Sequence, residues 1–217
     1  MFEFLLLLAG SYLLGSIPFG LVVAKLMGGP DPRQVGSANI GAANVYRVLG
    51  RNAGAFTLFG DILKGAAPVF LARFGLQGLG GWHETAVAAV GLAAVCGHIW
   101  PVYLRFQGGK AVATSFGVLL VLCPLAAAAL AALYGLVFRV WGISSVASLA
   151  TAWMMPAMVG LMSEVKIYLL ASAVLSGLIL WRHQDNVIRL CRGEEPALAE
   201  GEPQSNTPED SQPAEQS

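Results

Sequence analysis

Polar residues that could bind an anion are gathered in one segment of an otherwise apolar chain. The segment reads GGPDPRQVGSANIGAANVYRVLGRNAG and is rich in Gly, Asn and Ser, with Arg47 and Arg51 near its end. Small residues let backbone N–H groups converge on an anion, and a guanidinium group binds phosphate through two parallel hydrogen bonds. The composition therefore predicts a phosphate-binding loop, with a flexible polar connector as the plainer alternative.

A second cluster, Gly108, Gly109 and Lys110, comes just before an apolar run. A Gly-rich turn at the start of a helix presents free N–H groups and the positive end of the helix dipole to a phosphate, and the lysine adds a full charge. The nucleotide-binding P-loop does not fit, because Leu104 stands where that motif needs Gly and Ala111 where it needs Ser or Thr. Ala111 suits a backbone phosphate site unless its position needs a positive φ.

Two charges and a histidine lie inside apolar runs. Asp61 and Lys64, in GDILKG, are three residues apart, so they share a helix face and can pair. Each charge at the centre of a membrane helix costs about 2.5–3.5 kcal/mol on insertion scales, which favours a functional role over a purely structural ion pair. His98 stands alone among apolar neighbours, which is typical of a packed, hydrogen-bonded histidine.

The last cluster is in WRHQDNVIRLCRGEEP, near the end of the apolar part of the chain. His183, Asn186 and Arg189 recur every three residues, which places them along roughly one face of a short helix. The plainer interpretation of this segment is a basic membrane anchor.

The composition restricts the scaffold that can position these clusters. Hydrophobic residues make up 56% of the 217 residues and charged residues only 12%, against about 25% charged residues in a typical soluble domain. This excludes a disordered chain, a coiled coil, a disulfide-rich mini-protein and an ordinary cytosolic enzyme. We predict an all-α, polytopic integral membrane protein.

Seven apolar segments are predicted to span the membrane as helices. They cover approximately residues 3–25, 53–74, 85–105, 112–123, 125–140, 144–161 and 166–182. Ten Lys and Arg residues of the connecting segments fall on one side, and only Arg73 and Lys166 fall on the other. Because cytoplasmic loops carry the excess of basic residues, we expect the N-terminus outside and the C-terminus in the cytoplasm.

Acidic residues are concentrated at the C-terminus. The 13 basic and 13 acidic residues cancel overall, yet seven acids follow Arg192, which leaves residues 1–192 with a net charge of +7. A basic body suits anionic lipid or phosphate partners, although the orientation rule alone also explains it. We expect a membrane domain over 1–193 and an acidic, disordered tail over 194–217, since the tail contains almost no large apolar residue.

Neither a metal site nor a cofactor is indicated. Cys96, Cys123 and Cys191 show no paired spacing and read as inert packing residues. We also expect no nucleic-acid partner.

Five segments in order resemble the bacterial membrane glycerol-3-phosphate acyltransferases that use acyl phosphate as donor. The segments are GSIPFG, GSANIGAANVYRVLG, GDILKG, GHIWPVYLRFQGGKAVAT and RHQDNVIRLCRGEE, and the resemblance covers residues 1 to about 196. It implies a seven-helix enzyme of the bacterial inner membrane with its active site facing the cytoplasm. Such an enzyme transfers an acyl chain to the 1-hydroxyl of glycerol 3-phosphate, giving lysophosphatidic acid and phosphate for phospholipid synthesis.

The resemblance also implies roles for individual residues. We expect Ser37, His183 and Asn186 to be catalytic. Substrate-binding positions are expected at Asn39, Gly41, Asn44, Arg47, Gly108, Gly109, Lys110 and, by a looser match, Ser145. Supporting roles fall to Asp61, Lys64 and His98, and no residue is assigned to a metal.

The His-x4-Asp motif of acyltransferases that use acyl-CoA is absent, because positions 88, 103 and 188 are Ala, Tyr and Ile. This agrees with a different donor. Acyl phosphate is already activated, so direct transfer is expected, with a covalent acyl-Ser37 intermediate as the other route. An anion transporter or channel is the alternative function, although it would not explain polar residues gathered on one side. A bundle of this size could act as a monomer among membrane lipids.

Overall fold

The computed structural model describes residues 1–198, which form nine α-helices and no strand within that range. The helices are α1 Phe2–Gly15, α2 Phe19–Leu26, α3 Ala42–Gly75, α4 His83–Ile99, α5 Val112–Leu122, α6 Pro124–Trp141, α7 Ser144–Met162, α8 Lys166–Arg182 and α9 Gln184–Arg192. Short 3₁₀ helices cover Gln77–Trp82 and Val102–Leu104. The predicted all-α class is confirmed.

The segments long and apolar enough to cross a membrane agree with a polytopic protein. Within residues 1–198, four segments have the length and apolar composition of a membrane span: Ala42–Gly75, Gln77–Leu104, Pro124–Trp141 and Ser144–Met162. A fifth is added if α1 and α2, which are bent by 47° at their junction, count as one span. The first predicted span was expected to be continuous; it breaks before Phe19 because Pro18 has no backbone N–H to donate into the helix.

The predicted polar loop is partly helical. The first helix after it was expected to begin near residue 53, but α3 already begins at Ala42 and is interrupted at Gly50, whose φ is 82°. Glycine adopts this conformation without steric cost, so the chain turns there and carries on as a helix. The interruption leaves Arg47 on a short helical segment beside the loop.

Glycines bring the central helices unusually close together. A Cβ on Gly65 of α3 would overlap the Thr114 carbonyl oxygen of α5, and a Cβ on Gly117 would overlap the Ile62 carbonyl oxygen. Small residues at such crossings let membrane helices pack backbone to backbone. The α3–α5 pair therefore forms a close-packed centre that fixes where the residues before α5 lie.

The two charges predicted to pair inside the second span do so. Lys64 Nζ lies 2.8 Å from Asp61 Oδ1, and both residues are 2% exposed. The same ammonium donates to the Ile17 carbonyl oxygen over 2.8 Å, at the break between α1 and α2. The Lys64 ammonium therefore stabilises both the Asp61 carboxylate and the Ile17 carbonyl group beside the Pro18 break.

Replacing Lys64 by Met should lower the free energy of unfolding by about 3–5 kcal/mol, because it leaves the buried Asp61 carboxylate without its cation. Thermal unfolding in detergent measures this loss, with Lys166→Met, at an exposed position, as the control. The double variant Asp61→Asn/Lys64→Met should be more stable than Lys64→Met alone. A Lys64→Met protein as stable as the parent would contradict the pairing.

Candidate functional site

One large cavity of about 590 Å³ opens among α3, α5, α6, α7 and α8. The N-terminal ends of α5 and α7 and the C-terminal ends of α6 and α8 meet at its mouth. Polar residues therefore line the mouth, and residues further along the same helices, such as Phe116, Leu119 and Met155, line its depth. The cavity is thus polar at one end and apolar at the other.

Most of the predicted site residues face this cavity. Eleven of them line it: Ser37, Asn39, Gly41, Asn44, Arg47, Asp61, His98, Lys110, Ser145, His183 and Asn186. Gly108, Gly109 and Lys64 do not. Segments separated by more than 140 residues in the chain are therefore brought to one place.

Asn44 organises the polar loop from within. Its Oδ1 accepts the Ser37 N–H over 2.8 Å, and its Nδ2 donates to the carbonyl oxygens of Pro32 and Asn39 over 2.7 and 2.9 Å. Asn39 Oδ1 in turn accepts the Gly41 N–H over 2.9 Å. The amides predicted to bind substrate thus shape the loop, and the half-buried Ser37 side chain is held at the cavity.

A chain of charged and amide groups crosses the mouth. Lys110 Nζ donates to Asn186 Oδ1 over 2.6 Å, and Asn186 Nδ2 donates to Glu195 Oε1 over 2.6 Å. Arg189 Nε completes the chain with a 2.7 Å hydrogen bond to Glu195 Oε2. The Asn186 amide is therefore oriented from both sides, by a cation and by a carboxylate.

Burial and neighbouring charges tune the groups of this chain. Burial lowers the pKa of Lys110 to about 8, and the nearby Arg189, Arg182 and Arg47 add to the effect while Glu195 opposes it. Burial also raises the pKa of Glu195, but interactions with Ser145, Asn186 and Arg189 outweigh it and hold that pKa below its ordinary value. The Ser145 hydroxyl itself forms no well-aligned hydrogen bond with any described residue.

His183 is buried and presents one nitrogen for chemistry. Its Nδ1 lies 2.8 Å from the Ile179 carbonyl oxygen, which can only accept, so Nδ1 carries the proton and Nε2 keeps its lone pair. Burial lowers the pKa of His183 to about 4, and the Lys110 charge contributes in the same direction. The ring is therefore neutral at pH 7 and offers a hydrogen-bond acceptor.

Residues 194–198, which we call the strap, lie across the mouth. Arg47 Nη2 donates to the Pro196 carbonyl oxygen over 3.3 Å and Nε to that of Ala197 over 3.5 Å. The Leu198 N–H donates to the Gly142 carbonyl oxygen over 2.9 Å, and Leu198 lines the cavity. These contacts involve the first five residues of the tail predicted to be disordered, and its residues 199–217 lie outside the described part.

The glycines of GGK (residues 108–110, the GGK turn) do not form the expected anion nest. The N–H groups of Gly108 and Gly109 donate to the carbonyl oxygens of Ile99 and His98, each over 3.1 Å. A Cβ on Gly108 would overlap the His98 carbonyl oxygen, and one on Gly109 would overlap the His98 ring. Glycine is needed here for close packing, and Lys110 is the residue of the turn that faces the cavity.

Ala111, the residue after the GGK turn, adopts a φ of 60° as the N-cap of α5. Position 111 therefore does need a positive φ, which is the one condition under which alanine was not expected to suit this site. A non-glycine residue in this conformation costs roughly 1–2 kcal/mol.

Sequence reasoning missed Arg182 and Glu195. Arg182 directly precedes His183, and Glu195 is the last residue of RHQDNVIRLCRGEE. Both residues therefore lie in a segment that carries the family resemblance. Within residues 1–198, no three His, Cys, Asp or Glu side chains lie close enough together to hold a metal ion.

Solved structures resemble this chain over nearly its whole length. One is the glycerol 3-phosphate form of PlsY (YgiH), an integral membrane glycerol 3-phosphate acyltransferase, with a TM-score of 0.83 and 37% identity over 90% of this chain and 95% of that one. The lysophosphatidic acid form of the same protein gives a TM-score of 0.81 and 36% identity over the same shares.

Sequence relatives agree with the structural match. A glycerol-3-phosphate acyltransferase of Geotalea daltonii is 44% identical over 88% of this chain and 95% of its own length. One of Myxococcus xanthus is 48% identical over 85% of this chain and 94% of its own. The family model for glycerol-3-phosphate acyltransferase matches residues 5–193. The chain belongs to the glycerol-3-phosphate acyltransferase family.

Proposed function

We propose that this protein transfers an acyl chain from acyl phosphate to the 1-hydroxyl of glycerol 3-phosphate, releasing lysophosphatidic acid and phosphate for phospholipid synthesis. Membership of the family and the glycerol 3-phosphate and lysophosphatidic acid forms of PlsY support the acceptor and the product. The observation that carries the proposal is a single cavity with Arg47 and Lys110 at its mouth and an apolar depth. That polarity matches a lipid with a phosphate at one end.

Two phosphates must be held together in this reaction, one on each substrate. Arg47, Arg51 and Lys110 are the cations among the residues that line the cavity, and Lys110 is hydrogen-bonded to Asn186. Charge-assisted hydrogen bonds to phosphate are about twice as strong as neutral ones. We expect a bound phosphate to replace the Pro196 and Ala197 carbonyl oxygens on Arg47, so that the strap is displaced when substrate enters.

In the proposed reaction the acceptor oxygen attacks the carbonyl carbon of the acyl phosphate, and the bond from that carbon to the bridging oxygen breaks. The electron pair leaves with phosphate. His183 Nε2 accepts the hydrogen bond of the attacking hydroxyl and orients it. With a pKa of about 4, this ring is a weaker base than a phosphate dianion, whose conjugate acid has a pKa of about 6. The proton therefore ends on phosphate.

Ser37 and Asn186 complete the proposed catalytic set. The loop that Asn44 organises holds the Ser37 side chain at the mouth, and Asn186 lies between Lys110 and Glu195 with its amide fixed. Both suit hydrogen bonding to the reacting carbonyl or to a phosphate oxygen. Because the donor is already activated, transfer is direct and needs no acyl-Ser37 intermediate. The acyl chain lies in the apolar depth against Phe116 and Leu119.

The membrane arrangement is part of the same proposal. Helices occupy all seven predicted segments, and the positive-inside rule orients them with the N-terminus outside and the cavity mouth toward the cytoplasm. We place the enzyme in the bacterial inner membrane as a monomer. The family match ends at residue 193, so we take 1–193 as the catalytic body and 194–217 as an acidic tail whose first residues, the strap, contact the mouth.

Purified protein in detergent should form lysophosphatidic acid from palmitoyl phosphate and glycerol 3-phosphate, and none from palmitoyl-CoA. A Lys110→Ala variant should lose roughly 100-fold or more of this rate, since one preorganised charge at a reacting phosphate is worth several kcal/mol. Arg105→Ala, an exposed cation of the same loop outside the cavity, is the matched control. Product from palmitoyl-CoA alone would overturn the donor assignment.

The pH profile of kcat/KM should reflect Lys110. Its pKa of about 8 means that the cation is lost as pH rises through 8, so activity should fall there. Because the pKa of His183 is about 4, this histidine is neutral over the whole range above pH 5. It should therefore produce no inflection near pH 6.5, the ordinary pKa of histidine. In Lys110→Arg, whose charge persists, the residual activity should show no decline near pH 8. The same alkaline decline in Lys110→Arg would exclude Lys110 as its cause.

A further inference from the structure

A single guanidinium group holds two consecutive carbonyl groups of the GGK turn. Arg182 Nη2 donates to the Gly108 carbonyl oxygen over 2.9 Å, and Arg182 Nε donates to that of Gly109 over 3.1 Å. Arg182 does not line the cavity, whereas Lys110, the next residue of the turn, does. The guanidinium therefore acts on the backbone behind the site, away from the space a substrate would fill.

The opposite side of the turn is held by the end of α4. The N–H groups of Gly108 and Gly109 donate to α4 carbonyl oxygens, and the His98 ring packs against Gly109 where a Cβ would not fit. His98 Nδ1 lies 3.1 Å from Thr114 Oγ1 of α5 and 3.6 Å from Asp61 Oδ1 of α3. Three helices thus fix one face of the turn, and Arg182 of α8 fixes the other.

We propose that Arg182 is a positioning residue, whose paired hydrogen bonds to the GGK turn set where Lys110 stands relative to His183 and Asn186. Arg182 and His183 are neighbours in the chain, so the group that fixes the turn is covalently tied to the group that orients the acceptor. This inference rests on the proposed function, in which Lys110 binds a phosphate during acyl transfer.

The chemistry of the contact requires arginine. The guanidinium is a rigid, planar fork that reaches two acceptors together, whereas a lysine ammonium is a compact charge on a flexible stem. Two hydrogen bonds from one plane fix the direction of the turn as well as its distance. An error of about 1 Å in a positioned group can cost on the order of 100-fold in rate.

Arg182→Lys keeps the positive charge and loses the fork, so it separates geometry from electrostatics. We expect kcat/KM to fall about 10- to 100-fold at unchanged unfolding temperature, the range seen for groups that orient a reactive centre. Arg192→Lys, at an exposed position outside the cavity, should keep parental activity. An Arg182→Lys enzyme with parental kcat/KM, or one whose loss follows only a lowered unfolding temperature, would overturn the proposal.

The alkaline limb of the profile provides a second readout that a merely structural role would not move. The charged groups that influence Lys110 are Arg47, Arg182, Arg189 and Glu195, with neutral His183 beside it. Arg182→Gln removes one positive neighbour and should shift the limb to higher pH, whereas Arg182→Lys should leave it in place. Identical limbs in both variants would contradict the proximity of Arg182 to Lys110.

Chemical rescue keeps the test decisive if a variant is unstable. Activity of Arg182→Ala should recover with millimolar methylguanidinium and not with methylammonium or NaCl, and equal rescue by all three would overturn the role of the fork. Calorimetric binding of glycerol 3-phosphate separates this proposal from the proposed function. If the parent binds it but uses only palmitoyl-CoA, the donor assignment fails, while weaker binding by Arg182→Lys still supports the positioning role.

Discussion

Lys64 and Asp61 are buried in α3, in an apolar body where water cannot screen a charge. Such groups persist only when they are paired and hydrogen-bonded, and here each is tied to neighbouring helices. Lys64 donates to the carbonyl oxygen at the α1–α2 break, and Asp61 lies beside His98 of α4. The close crossing of α3 and α5 completes this centre. Because the GGK turn lies at the end of the segment 100–111 that joins α4 to α5, and its glycines hydrogen-bond to the end of α4, the same packing determines where Lys110 enters the cavity.

The cavity beside this centre combines two environments, a polar mouth and an apolar depth. Its mouth gathers cations, an amide and a neutral histidine from the polar loop, the GGK turn and the α8–α9 junction, while its depth is apolar. Lys110 remains largely charged at neutral pH and His183 remains neutral, although they lie in one site. Burial explains both pKa values, since it disfavours the charged form of each. A cation to hold phosphate and an acceptor to orient a hydroxyl can therefore coexist.

Local patterns were sufficient for most of the helices and for the Asp61–Lys64 pair, and the resemblance to a family indicated that the polar clusters belong to one site. They were insufficient wherever a residue's partner is distant in sequence. The neighbouring sequence does not show that the Asn44 side chain hydrogen-bonds to the backbone of the polar loop. Nor does it show that the N–H groups of Gly108 and Gly109 donate to α4, or that Arg182 donates to the GGK turn 73 residues earlier. The Pro18 break was overlooked because the apolar run continues through it, and Glu195 because its acidic surroundings resemble the tail.

In the proposed mechanism the substrate phosphate binds between Arg47 and Lys110 and displaces the strap from Arg47. An experimental structure of the protein with glycerol 3-phosphate tests it most directly. The phosphate should contact the Arg47 guanidinium and Lys110 Nζ, with the acceptor hydroxyl at His183 Nε2 and the Pro196 and Ala197 carbonyl groups released from Arg47. A phosphate bound elsewhere, with Arg47 still hydrogen-bonded to the strap, would contradict it.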